Sequence, residues 1–182
     1  MRIPNWLLIQ RVSLFLYLAA GVLLLVYALG FISNVYIFYA YGNAGLVEFY
    51  HDMQEVNDSL LWNAIIAVLF ALGLFLLELR KHPAGIFTLI ITIIITAVSV
   101  FICVYTIVML ADARLYYSEL DLRPLDRFID RGTIKYEYST FTYDLGLGGY
   151  ILFMLSSLFT AFSVIRNAFT VKAVYLKGKN DK

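Results

Sequence analysis

Cysteine, proline, histidine and charge are all scarce in this chain. Among 182 residues there are one Cys, three Pro and two His, and only 15% are Asp, Glu, Lys or Arg, against about 25% charged in soluble domains. The lone thiol, Cys103, has no second cysteine to pair with, which excludes an internal disulfide framework and Cys-x-x-Cys redox chemistry. His51 and His82 fall in the charged connections, so no apolar run offers a pair of haem ligands. The Gly-x-x-x-x-Gly-Lys, His-Glu-x-x-His and Gly-x-Ser-x-Gly patterns are absent, and with them the familiar phosphate, zinc and serine-nucleophile sites. A net charge of +1 leaves no electrostatic footprint for nucleic acid. The reading is of a chain that is not an enzyme, with no catalytic, cofactor-binding or metal-binding residues.

What the chain has in quantity is apolar surface: 62% hydrophobic residues, 16% aromatic, and a mean hydropathy of +0.79. A soluble core could not hide so much of it, whereas lipid can. The expected fold is an all-α integral membrane protein, a single four-span bundle with spans at about 12–37, 59–77, 84–111 and 145–165. Each meets the length of about 20 residues that a bilayer crossing needs. The first run exceeds the apolar region of a signal peptide, about 7–15 residues, and is read as a retained span. Residues 78–85, with Arg80, Lys81 and Pro83, form the tightest turn and make the second and third spans an antiparallel hairpin. Residues 48–58 hold Glu48, Asp52, Glu55 and Asp58 without a single Lys or Arg. They are read as an exposed connection, with Asp58 or Ser59 capping the second span. Glu48, Asp52 and Glu55 would share a helix face beside His51, a spacing read as a solvated acidic face and not as a metal site.

Charge sets the expected orientation. Arg2, Arg11, Arg80, Lys81, Arg166, Lys172, Lys177, Lys179 and Lys182 all lie on the side of the two termini and the tight turn, with only Glu78 and Asp181 as acids. Because the Lys/Arg excess marks the cytoplasmic side, both termini are expected there, in a plasma membrane or bacterial inner membrane. The segment 112–144 then lies outside.

Between helices in lipid there is little hydrophobic drive, so small and weakly polar residues mark packing faces. The third span displays Thr88, Thr92, Thr96, Ser99, Cys103 and Thr106, whose near-heptad spacing keeps them on one side of a helix. The fourth offers Gly149, Ser156, Thr160, Ser163 and Asn167, and the second Ala64, Ala67 and Ala71. These are read as helix-packing seams; the rival reading makes the Thr face a polar pathway. Asn63 is expected in a helix–helix hydrogen bond or near the outer interface.

The outer segment reads as a small α/β unit between the third and fourth spans. Pro124 followed by Leu125, Phe128 and Ile129, with Gly132 as the stop, predicts a short amphipathic helix over 124–131. Alternation of Ile134, Tyr136 and Tyr138 with Thr133, Lys135 and Glu137 predicts a strand over 133–138. Phe128, Ile134, Tyr136, Tyr138, Phe141 and Tyr143 together make an aromatic contact surface, as interfaces commonly do. The layout resembles that of claudins, four spans with an intracellular start. That family's paired loop cysteines and Trp-containing first-loop motif are absent, so the resemblance ends at layout and no residue roles follow from it.

The expected function is a non-catalytic accessory or structural subunit of a larger membrane complex. Its partners would be the lipid bilayer and other membrane subunits or further copies of itself. A transporter or channel component with its pathway along the Thr face is the alternative. A membrane enzyme using outer-loop carboxylates ranks last.

Overall fold

The computed structural model describes residues 5–35, 44–78, 86–125 and 139–180. Within them the chain is helical throughout: α1 (Asn5–Val35), α2 (Ala44–Glu78), α3 (Ile86–Glu119) and α4 (Phe141–Asn180), with a 3-10 turn at Arg123–Leu125. All four long helices are long and apolar enough to cross a membrane, which makes this a multi-pass membrane protein. No strand occurs among the described residues. The strand expected over 133–138 and most of the amphipathic helix expected over 124–131 lie outside them. The described start of that helix, Pro124, sits in the 3-10 turn.

Lipid dictates this outcome most visibly in α3. Its Ile-Thr-Ile-Ile-Ile-Thr run is β-branched and would favour strand in a half-buried aqueous sheet. In hydrocarbon an open strand leaves its N–H and C=O groups unpaired, and only the helix satisfies them within one segment. The helices pack in the ring order α1, α2, α3, α4, with α1 also closing on α4. Cross-contacts run antiparallel: Tyr17 stacks on Phe153 and Phe31 meets Tyr143 across the α1–α4 seam. The end where α1 begins and α4 finishes is termed here the terminal end, and the opposite end the distal end.

Two elements extend past the expected connections. Residues 48–58 are the first turns of α2, not a loop, so neither Asp58 nor Ser59 caps it. The reason is a helical period that the acidic residues mask. Leu46, Phe49, Met53, Asn57 and Leu60 are buried at spacings of three and four, so one face stays against the bundle. Glu48, Asp52, Glu55 and Asp58 occupy the exposed face. At the other side, α4 begins at Phe141. The Thr140 carbonyl accepts from the Tyr143 and Asp144 amides at 3.0 Å, the Thr140 hydroxyl donates to Asp144 Oδ2 at 2.9 Å, and Asp144 sits favourably in the first turn.

Candidate functional site

The features that bear on function are an internal polar seam and an aromatic cluster at the distal end. The seam begins on α3, where Thr92, Thr96, Ser99, Cys103 and Thr106 are all buried and Thr88 is half-buried. Several hydroxyls along it bond to their own preceding turn. Thr92 donates to the Thr88 carbonyl, Thr106 to Ile102 and Ser156 to Phe153, each at 2.8 Å. That habit hides a hydroxyl in lipid without a partner helix. Others reach across. Asn63 on α2 donates to the Thr106 hydroxyl at 2.9 Å, and Tyr17 on α1 shares a proton with Ser99 at 2.8 Å.

Toward the terminal end the seam passes to α1 and α4. Ser13 and Ser163 lie 2.9 Å apart, and each is also 2.8 Å from a carbonyl of its own helix, Gln10 and Thr160 respectively. Two hydroxyl protons cannot serve three bonds, so at any moment one hydroxyl donates across the seam and the other to its own backbone. The Thr160 hydroxyl is within bonding distance of the Ser156 carbonyl at 2.8 Å and the Ser13 carbonyl at 3.1 Å. Below this pair the Asn167 amide donates to the Gln10 side-chain carbonyl. Gly149 is half-buried, and a Cβ there would stand 3.1 Å from Leu24 Cδ2.

Spacing in the third and fourth spans pointed to Thr88 through Thr106 and Gly149 through Ser163. It did not single out Gln10, Ser13 and Tyr17 on α1, or Tyr150 and Ser157 on α4. Yet Gln10, Ser13 and Tyr17 recur at three and four residues in an otherwise apolar helix, the same signature.

The distal end is closed by aromatic rings from all four helices. Phe31 and Tyr143 meet edge-to-face at 5.3 Å, Tyr117 and Tyr143 lie 5.1 Å apart, and Phe49 touches Tyr116 at 5.2 Å and Tyr117 at 5.9 Å. Such pairs contribute about 0.5–1.5 kcal/mol each beyond their burial. Tyr143, expected on an outward contact surface, is therefore inside the bundle at 3% exposure. It was grouped with the aromatics of the outer segment, but a helical phase starting at Phe141 turns Phe141 outward (61% exposed) and Tyr143 inward. Phe128, Ile134, Tyr136 and Tyr138 lie outside the described residues. Arg114 Nε and Asp144 Oδ1 join α3 to α4 at 2.7 Å, a partly exposed, solvent-screened pair that adds little to stability. Just past α3, the Arg123 guanidinium bonds Asp121 and holds its carboxyl below the usual carboxylate range.

Among the described residues no three His, Cys, Asp or Glu side chains gather as metal ligands, and the acidic face of α2 stays spread along the helix surface. The thiol of Cys103 is buried and unpaired with any other cysteine. What the arrangement can do chemically is form and exchange neutral hydrogen bonds along the bundle axis. No family model, curated protein or solved structure matches the chain.

Proposed function

We propose that this chain is a non-catalytic accessory subunit of a membrane complex, with both termini cytoplasmic and the α3–α4 connection outside. The observation that supports this most is where the seam faces. The Thr stripe of α3 is turned into the bundle and bonds Tyr17 on α1 and Asn63 on α2, which leaves predominantly apolar faces toward lipid or a partner helix. Trp62, Phe87 and Phe101 stand out on those faces, at 64%, 72% and 73% exposure. Large aromatics are the anchors that interfaces between proteins favour. The segment around Ile134, Tyr136 and Tyr138 would add a contact outside the membrane, its alternation suited to pairing with a partner's edge. The test is native mass spectrometry of the protein extracted in lipid nanodiscs from its own membrane. A stoichiometric membrane companion is expected; a monodisperse chain alone would end this reading. A pathway component is the second reading, favoured by the polar atoms inside the seam that lack a well-formed hydrogen bond among the described residues. Solute flux into liposomes containing the chain alone would support it instead.

A further inference from the structure

Most of the hydroxyls in the seam follow one rule: Ser13, Thr92, Thr106, Ser156, Thr160 and Ser163 each bond a carbonyl of the preceding turn. Thr96 and Ser157 break it. Their oxygens are buried, at 7% and 1% residue exposure, and make no well-formed hydrogen bond to a described residue, although Ser157 lies close to the Tyr17 hydroxyl. Tyr150 is a stronger case, because a phenol cannot turn back onto its own backbone. Its residue is 0% exposed and its hydroxyl, though close to that of Thr106, makes no well-formed hydrogen bond to a described residue, nor does that of Tyr27. These groups are grouped, not scattered. Ser157 faces the Tyr17 hydroxyl that already pairs with Ser99, and Thr96 is one turn from Ser99 on the same face. Tyr150 faces Tyr27, Cys103 and Thr106. Each locus thus offers a molecule between the helices the two to four polar neighbours that a buried water requires.

We propose that ordered water is bound inside the bundle at two levels, one at Thr96, Ser157 and the Tyr17–Ser99 pair, the other at Tyr150, Tyr27 and Thr106. The ligand class follows from the lining. The groups at both levels are neutral hydroxyls with one thiol, which suit a small neutral donor–acceptor and give an ion no counter-charge. With water at these levels, polar groups recur at separate levels from the Gln10–Asn167, Ser13–Ser163 and Tyr17–Ser99 bonds to Tyr27, the two water levels standing about 10 Å apart. From Gln10 to Tyr27 this is about 26 Å of helix, most of a hydrocarbon core about 30 Å thick. The inference holds whether the chain is a subunit or a pathway, since it rests on these buried hydroxyls and not on what lies outside the bundle.

The unmodified full chain in lipid nanodiscs provides the deciding measurement. Pulsed X-ray radiolysis makes hydroxyl radicals from water wherever water sits, and oxygen uptake is read by mass spectrometry after exchange into 18O-water. Tyr105 is the matched control, the same phenol at 53% exposure on the outward face of α3. Tyr150 should be labelled at least severalfold faster than Tyr105; labelling no faster would overturn the proposal. Tyr150→Phe adds a test of sign. If water bridges the phenol, removing the hydroxyl loses bonds and should lower Tm by about 2–4 °C. If the phenol is dry and unpaired, its removal relieves a desolvated group, and an unchanged or raised Tm would likewise refute bound water there.

Discussion

Gly146 and Gly148 stand two residues apart in α4, and the same substitution at each should act in opposite directions. Helix propensity favours Ala over Gly by about 0.5–1 kcal/mol in a helix interior. At Gly148, which is exposed and has nothing within 4 Å of where a Cβ would stand, that gain should appear in full. At Gly146 the Cβ would fall on the Tyr27 ring, overlapping its hydroxyl and approaching Cε1 to 2.8 Å. The ring cannot swing away without leaving Phe31, 5.8 Å distant, and disturbing the aromatic closure. Overpacking of this kind typically costs about 1–3 kcal/mol. Set against the propensity gain, the net loss for Gly146→Ala should be about 0.5–2 kcal/mol. Unfolding in mixed micelles titrated with denaturing detergent measures both variants on one scale. A Tyr27→Leu background adds a double-mutant cycle. There Gly146→Ala should lose most of its penalty, a coupling of about 1 kcal/mol or more. Equal shifts at 146 and 148, or no coupling to Tyr27, would refute the close approach of α1 and α4 at this level.

Three further outcomes are expected. Thr96→Leu should destabilise the bundle by about 1–3 kcal/mol through overpacking, while Val98→Leu on the outward side (38% exposed) should be nearly neutral, both read by the same unfolding assay. In a Cys103→Ala background, Ser139→Cys and Lys179→Cys should react with a membrane-impermeant thiol reagent from opposite sides of intact cells; labelling of both from outside would overturn the orientation. Replacing Tyr136 and Tyr138 by Ala should leave the Tm of the purified chain unchanged yet weaken recovery of the membrane companion, by about 1–3 kcal/mol if either ring is an interface anchor.

The helical seams were legible because lipid makes small and polar residues conspicuous. Thr92, Thr96, Ser99, Cys103 and Thr106 recur at three and four residues, and the same residues are buried. Asn63 was readable for the same reason, as a lone amide in an apolar run that meets Thr106. The start of α2 was not legible by charge density, which reads as loop. Its signal lay in the apolar residues between the acids, Leu46, Phe49, Met53 and Leu60, whose period continues that of Ala64, Ala67 and Ala71. Gln10 and Ser13 were obscured differently. They straddle the point where the first apolar run begins, so they read as an edge and not as a face. Tyr143 was placed outside because the fourth span was expected to begin at about 145, whereas the helix and its phase begin just after Thr140. Of the cluster Gly146–Gly149 the sequence indicates close packing, but only the geometry separates Gly146, against Tyr27, from Gly148, which is open.

Chain proximity and packing strength separate in this bundle. α2 and α3 are joined by the shortest connection, yet they touch less extensively than α1 with α2, α1 with α4 or α3 with α4. A tight turn makes two helices neighbours, but in lipid it supplies none of the attraction that holds their faces together. That attraction comes from close approach and from cross-helix hydrogen bonds averaging about 0.6 kcal/mol each. The α1–α4 seam has Ser13–Ser163, Gln10–Asn167 and the Tyr17–Phe153 stack. The α1–α2 seam has Gly21 set against Ala67 and Val68. Between α2 and α3 the bond from Asn63 to Thr106 lies mid-span, and Phe49 against Tyr116 and Tyr117 closes the distal end. Separation of these two helices would therefore disturb the fewest favourable contacts of any seam while leaving the α1–α4 contacts intact. Trp62 on α2 and Tyr105 on α3, each one residue before a partner in this seam's polar bond, are exposed.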